Sequence, residues 1–154
     1  MAGSGSRVRS GPTGDERQLN DAGPAARILY VEDEELNRAL LRAVLERSPD
    51  LRLRSAALVE ARTLAQARAI LTEQELDIVL LDVRLPDGNG LDLLREIKSR
   101  NPDLGVVVMS ASVLPEEREE AMKAGSDAFV AKPYVPGDLL ATLQRMLPVA
   151  QRDA

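Results

Sequence analysis

Three carboxylates, a hydroxyl and an ammonium stand in this sequence where short apolar runs end. Glu32 and Asp33 follow Ile28 to Val31, Asp82 closes the run that begins at Ile78, Ser110 follows Val106 to Met109, and Lys132 follows Asp127 to Ala131. Taken singly, an Asp after a strand is most often a helix cap or a turn residue; four run ends carrying such groups together need another explanation. Brought side by side, three carboxylates repel and desolvate one another unless a cation lies between them. With only oxygen donors in the set the cation should be hard, and Mg²⁺ is expected because it tolerates carboxylates, a carbonyl and several waters. Lys132 opposite the metal and Ser110 beside it complete a cradle for a phosphoryl group. In such a cradle Asp82 can itself accept the phosphoryl group as an aspartyl phosphate.

The rest of the inventory closes other routes. The chain of 154 residues contains no cysteine, no histidine and no tryptophan, so thiolate zinc sites, imidazole-ligated metals, Ser-His-Asp triads and a phosphohistidine of its own are excluded. Twenty basic residues face 25 acidic ones, a net charge of −5, and the basic residues are scattered. A nucleic-acid partner is therefore not expected, since phosphate binding calls for a basic face. The longest apolar runs are far short of the ~20 residues that cross a bilayer, and Met1 to Asp21 carries no apolar core of a secretory signal. A cytoplasmic protein without membrane partners is expected.

These groups must be positioned by regular elements. Residues 1–26 are rich in Gly, Ser, Pro, Asp and Arg and are read as a disordered tail. From Arg27 the pattern alternates. Ile28 to Val31 reads as a buried strand, and Leu36, Leu40, Leu41, Val44 and Leu45 at spacings of three and four read as an amphipathic helix ending before Pro49. Leu51 to Ala61 reads as one strand with two possible registers. Thr63 can cap a helix through Leu71, Ile78 to Val83 is a strand, and Leu91, Leu94 and Ile97 mark a third helix. Leu104 to Met109 is a fourth strand, Pro115 opens a very polar helix from Glu116 to Ala124, and Gly125 stops it. Asp127 to Ala131 is the fifth strand; Leu139, Leu140, Leu143 and Leu147 give a fifth helix. Five strands alternating with five helices predict an α/β fold, a doubly wound parallel sheet covered on both faces. In such sheets ligands sit at the carboxyl ends of the strands, where the groups named above stand.

Several of these motifs together resemble the receiver domain of two-component response regulators. They are the acidic pair Glu32 and Asp33 after the first strand, the stretch Leu81 to Gly90 around Asp82, Ser110 with Ala111, Phe129, and Lys132 with Pro133. The resemblance spans about Ala26 to Leu147. It implies a flavodoxin-like sheet of order 2-1-3-4-5, a receiver over 27–147 and a short tail over 148–154. It also implies that Asp82 is the phospho-acceptor. Asp33, Asp82 and the Arg84 backbone carbonyl would bind Mg²⁺, with Glu32 acting through a metal-bound water. Lys132 would contact the phosphoryl oxygens, Ser110 would be the switch hydroxyl next to Ala111, and Phe129 would be the coupled aromatic. Pro86 and Gly90 would shape the loop after the acceptor, and Pro133 would follow the Lys. Three departures accompany the match: Glu-Asp stands where Asp-Asp is commonest, Leu51 to Ala61 is a few residues long, and Phe129 lacks the hydroxyl many members carry.

The resemblance further implies a histidine kinase or histidine phosphotransferase as phosphodonor. A protein target would dock on the face of the fourth strand, fourth helix, fifth strand and fifth helix. Only seven residues follow Leu147, so a stand-alone receiver is expected, with a receiver of a hybrid histidine kinase as the alternative. A Mg²⁺-dependent phosphohydrolase using an aspartyl phosphate is the rival from another class. It needs a second acid two residues after the nucleophile, where Arg84 stands here. A calcium loop over Asp87, Asn89, Gly90 and Glu96 is weaker, because its first position is Leu85 and a strand precedes it.

Overall fold

The computed structural model describes residues 25–112 and 114–147. The expected tails, 1–26 and 148–154, lie outside the described residues apart from Ala25 and Ala26. Residues from Ala26 to Leu147 form one compact unit.

Four of its strands are aliphatic runs whose alternate side chains point to opposite faces. They are β1 (Arg27–Val31), β2 (Ala57–Ala61), β3 (Ile78–Asp82) and β6 (Gly105–Ser110), and β7 (Ala128–Ala131) closes the sheet. All pair in parallel in the order β2-β1-β3-β6-β7, which is the expected 2-1-3-4-5 winding. Two short antiparallel strands, β4 (Arg84–Leu85) and β5 (Gly88–Asn89), form a hairpin after β3. One sheet face buries Leu29, Val31, Val79, Leu81, Val106 and Val108 against residues of α3 (Leu64–Glu73), α4 (Gly90–Arg100) and α5 (Pro115–Lys123). The other face buries Ile28, Tyr30, Ile78, Leu80, Val107 and Met109 against α1 (Glu35–Glu46), α2 (Leu51–Arg54) and α6 (Pro136–Met146). At roughly 1.5–3 kcal/mol for each large aliphatic side chain removed from water, these two layers are what hold the sheet between its helices.

Two sequence expectations are corrected. Leu51 to Ala61 is not one strand. Asp50 accepts a hydrogen bond from the Arg52 N–H at 2.8 Å, and the Ser55 N–H returns to the Leu51 carbonyl, so residues 51–54 close one helical turn before β2 begins. That makes six helices among the described residues where five were expected. In α1, Leu36 and Leu40 are 81% and 49% exposed, whereas Arg38 is only 5% exposed. The buried line runs through Arg38, Leu41, Val44 and Leu45. Arg38 can occupy it because its guanidinium is fully used: one nitrogen donates to the Glu32 carbonyl at 2.9 Å, and others pair with Glu35 at 2.7 Å and Glu60 at 3.2 Å.

The strand register places the chemistry. Asp82 ends β3 opposite Met109, and Ser110 ends β6 opposite Ala131. The Glu32 N–H donates to Ala61 and the Lys132 N–H to Ser110, so each extends its strand by one residue. Four carboxyl-terminal strand ends thereby meet at one edge, at the point where the strand order reverses.

Candidate functional site

Glu32, Asp33, Asp82, Arg84, Ser110, Ala111, Lys132 and Pro133 line one cleft of about 540 Å³ together with Glu34 and Asn37. Eight residues singled out from the sequence are thus brought together. Phe129, Pro86 and Gly90 are not in the lining. Phe129 packs partly buried against the core, with the Arg118 guanidinium 5.5 Å from its ring centroid. Pro86 lies in the turn of the β4–β5 hairpin.

One oxygen each from Glu32, Asp33 and Asp82 lies within 4.8 Å of the others. Glu32 is buried, Asp82 nearly so, and Asp33 is exposed at the mouth. Lys132 bridges the two buried carboxylates, its Nζ 2.9 Å from Glu32 Oε1 and 3.1 Å from Asp82 Oδ2. The Lys132–Pro133 peptide is cis. Glu32 also accepts from the Tyr30 hydroxyl at 3.2 Å and the Glu34 N–H at 3.1 Å. The Arg84 N–H faces Asp82 Oδ1 at 3.4 Å.

The electrostatics follow from this geometry. Burial pushes the Asp82 carboxyl above the ordinary value; Lys132 opposes the shift and Glu32 reinforces it. Burial acts on Glu32 in the same sense, but the hydrogen bonds from Lys132 and the Glu34 N–H outweigh it and hold the carboxyl below the ordinary range. Burial would lower Lys132, yet Glu32 and Asp82 keep its ammonium above the ordinary value. Three carboxylates against one ammonium leave the cluster two charges short of neutrality, which is the charge of a divalent cation. An all-oxygen donor set of this charge fits Mg²⁺.

An acid with a raised folded-state pKa destabilises the fold once ionised. That cost is absent below the ordinary value of 3.8 and grows as pH rises through the folded-state pKa. Asp82→Asn should therefore raise Tm in metal-free buffer at neutral pH, and the gain should shrink towards zero on acidification. Thermal melts of both proteins across pH check this; a gain over the parent no larger at neutral pH than at acid pH would contradict it.

The loop after Asp82 is held by backbone and by two caps. The Gly90 N–H donates to the Val83 carbonyl at 2.6 Å, and a Cβ at Gly90 would lie 2.1 Å from the Asp82 carbonyl oxygen. Asp87 accepts from the Leu64 and Ala65 N–H groups at 2.8 and 3.0 Å, pinning the hairpin to the start of α3. Asn89 caps α4 through the Leu91 N–H at 2.8 Å. Glu96 pairs with Arg68 at 2.8 Å. The carboxylates of the candidate calcium loop are thus turned towards α3 and do not form a cage.

Sequence reasoning missed three residues that act on the cleft. Tyr30 lies two positions before Glu32 and so reaches the same side of the strand, a signal that period-2 alternation could have given. Arg38 lies on α1 and is buried, which its residue type does not signal. Glu117 accepts the hydrogen bond of the Ser110 hydroxyl and faces the Arg84 guanidinium at 3.7 Å, and nothing in the spacing of the chain pointed to it.

The family model described as the response regulator receiver domain matches residues 28–144. Over 106 residues the chain is 35% identical to the DNA-binding transcriptional activator DevR/DosR of Mycobacterium tuberculosis, covering 69% of this chain and 47% of that protein. Over 128 residues it is 37% identical to the aerobic respiration control sensor protein ArcB of Escherichia coli, covering 79% of this chain and 15% of that protein. The crystal structure of the receiver domain of NtrX from Brucella abortus matches with a TM-score of 0.69 at 30% identity, covering 78% of this chain and 97% of that one. The chain thus spans less than half the length of these two curated relatives. Among the described residues no helix is long and apolar enough to cross a membrane.

Proposed function

The chain belongs to the response regulator receiver family, and from that premise we propose that it accepts a phosphoryl group on Asp82 and uses the resulting charge to switch a protein-docking surface. The observation that carries this reading is the triangle of Asp82, Glu32 and Lys132: a nearly buried carboxylate, a second carboxylate and an ammonium within hydrogen-bond reach of both.

In the proposed reaction an Asp82 carboxylate oxygen attacks the phosphorus of a donor phosphohistidine. The new bond is P–O, the bond that breaks is P–N, and the leaving imidazole keeps the electron pair and takes a proton from solvent. The donor is a histidine kinase or a histidine phosphotransferase, because this chain has no histidine. Lys132, already against Asp82 Oδ2, holds the incoming phosphoryl oxygens. Asp33, Asp82 and the Arg84 carbonyl would hold Mg²⁺, with Glu32 acting through a bound water. The ion would supply neutralisation of the phosphoryl charge. Pro86, Gly90 and Pro133 set the loops around this centre.

Phosphorylation replaces one negative charge by about two and adds acceptor oxygens, which draw Ser110 and Lys132 inward. Phe129 on the neighbouring strand follows, and the face of β6, α5, β7 and α6 is the surface that changes. Within α5 only Ala121 is fully buried, while Met122 beside it is 46% exposed. That thin anchorage supports α5 as the moving element. The receiver is taken as 27–147, the location as cytoplasmic and the partners as proteins, in keeping with a net charge of −5. The match to a sensor protein favours a second reading, a receiver borne on a hybrid histidine kinase. A phosphohydrolase is disfavoured, since two residues after Asp82 stands Arg84, exposed and paired with Glu117. The protein would then catalyse only its own phosphotransfer and dephosphorylation.

Incubation with acetyl phosphate and Mg²⁺ followed by intact mass tests the assignment. One added phosphate is expected, lost in Asp82→Asn and lost on chelating the metal. A phosphate that persists in the Asn variant would place the acceptor elsewhere.

A further inference from the structure

We infer that Glu117 is the resting partner of the Ser110 hydroxyl and sets how readily the phosphorylated state forms. This positioning role rests on the reading of Asp82 and Ser110 given above.

A serine hydroxyl has one proton to donate. Ser110 is 2% exposed, and that proton goes to Glu117 Oε1, while its oxygen accepts the Ser112 N–H at 3.0 Å. The hydroxyl is therefore fully engaged before any phosphoryl group arrives, and its donor is committed to a carboxylate, the stronger kind of acceptor. An aspartyl phosphate at Asp82 can gain the Ser110 proton only if Glu117 loses it. The two states compete for one hydrogen.

The position of Glu117 makes this competition consequential. It lies in the first turn of α5, with its side chain only 15% exposed, and its second oxygen faces the guanidinium of Arg84 at 3.7 Å. Arg84 is two residues beyond Asp82 and turns its own N–H towards Asp82 Oδ1. Glu117 thus ties α5 to the acceptor loop and to Ser110 at once. The next residue, Arg118, places its guanidinium over the Phe129 ring. Consecutive residues of α5 hold both side chains proposed to switch, one by a hydrogen bond and the other by a cation–π contact. When the Ser110 hydroxyl turns to the charge on Asp82, Glu117 loses one of the ties that hold α5, so release of Ser110 and movement of α5 become one event.

The test is a titration with beryllofluoride, a phosphoryl mimic, in saturating Mg²⁺, followed by amide NMR. It is run on the parent, Glu117→Ala, Ser110→Ala and the double variant. Glu117→Ala should tighten the apparent Kd by about ten- to hundredfold, the size of one charge-assisted hydrogen bond no longer to be broken. In the Ser110→Ala background the same change should have less than about a twofold effect, because coupling vanishes when the shared partner is gone. Glu117→Gln, which keeps a weaker neutral acceptor and the helix, should tighten binding about two- to threefold. Equal tightening in both Ser110 backgrounds would mean that Glu117 acts by charge alone and would overturn the proposal. So would an unchanged or weaker Kd in folded Glu117 variants. A parent that takes up no beryllofluoride would overturn the phospho-acceptor reading itself, a result distinct from either.

Discussion

Lys132→Met is expected to cost the metal-free protein about 3–5 kcal/mol, as removal of one partner from a buried ion pair does. It should also slow phosphorylation of Asp82 by about 10²–10³-fold, the usual cost of deleting a transition-state donor. The Lys132 side chain is 14% exposed and its ammonium is shared by Glu32, 1% exposed, and Asp82, 12% exposed. Without it two buried carboxylates face one another with no cation, and the fold relieves the strain by taking up a proton. The folded variant then binds more protons than its unfolded chain, so its loss of stability should deepen as pH rises. Saturating Mg²⁺ should restore most of the stability and little of the rate, since the ion replaces the missing charge but not the donor. Urea unfolding with and without Mg²⁺ and single-turnover phosphorylation by acetyl phosphate separate the two effects. A stability loss unchanged by Mg²⁺ would mean that the aliphatic stem, not the ammonium, is what matters.

The second large effect is expected at a residue with no side chain. Gly90→Ala would place a Cβ 2.1 Å from the Asp82 carbonyl oxygen, 3.1 Å from its carbon and 3.2 Å from the Val83 Cα. All three neighbours are backbone, and the Gly90 N–H is already clamped to Val83 at 2.6 Å, so no side chain can turn aside. The main chain at Asp82 must shift instead. We expect a loss of at least about 2 kcal/mol from overpacking, and a fall of about 10²-fold in phosphorylation rate, the effect of displacing a reacting group by about 1 Å. Gly137→Ala is the control: nothing lies within 4 Å of its Cβ position and it falls within α6. That change should be neutral or stabilising by up to about 1 kcal/mol. Equal behaviour of the two variants would show that the loop after Asp82 absorbs the methyl group.

Much of this molecule is legible in its sequence alone. The aliphatic runs at β1, β3 and β6 announce strands buried on both faces, and their last residues announce the cleft. What failed to read were places where local pattern and tertiary demand diverge. Leu51, Leu53 and Ser55 alternate as a strand would, yet Asp50 caps a turn there and only Leu53 is buried. Leu36 and Leu40 fit a helical stripe, but the floor beneath α1 offers the Glu32 carbonyl and Glu60, and these are satisfied by Arg38. Glu117 was hidden because its partner, Ser110, is reached across the loop between β6 and α5, whose path no periodicity encodes. Composition reveals which groups exist; pairing across loops has to be seen.

The hydrogen bond from Lys132 to Glu32 joins residues 100 positions apart, and that to Asp82 spans 50. During synthesis, β1, β2 and β3 can leave the ribosome and pair before β7 has been made. A chain halted short of residue 132 would hold two buried acids with no ammonium between them. Competence therefore arrives late and at one step, when β7 docks beside β6.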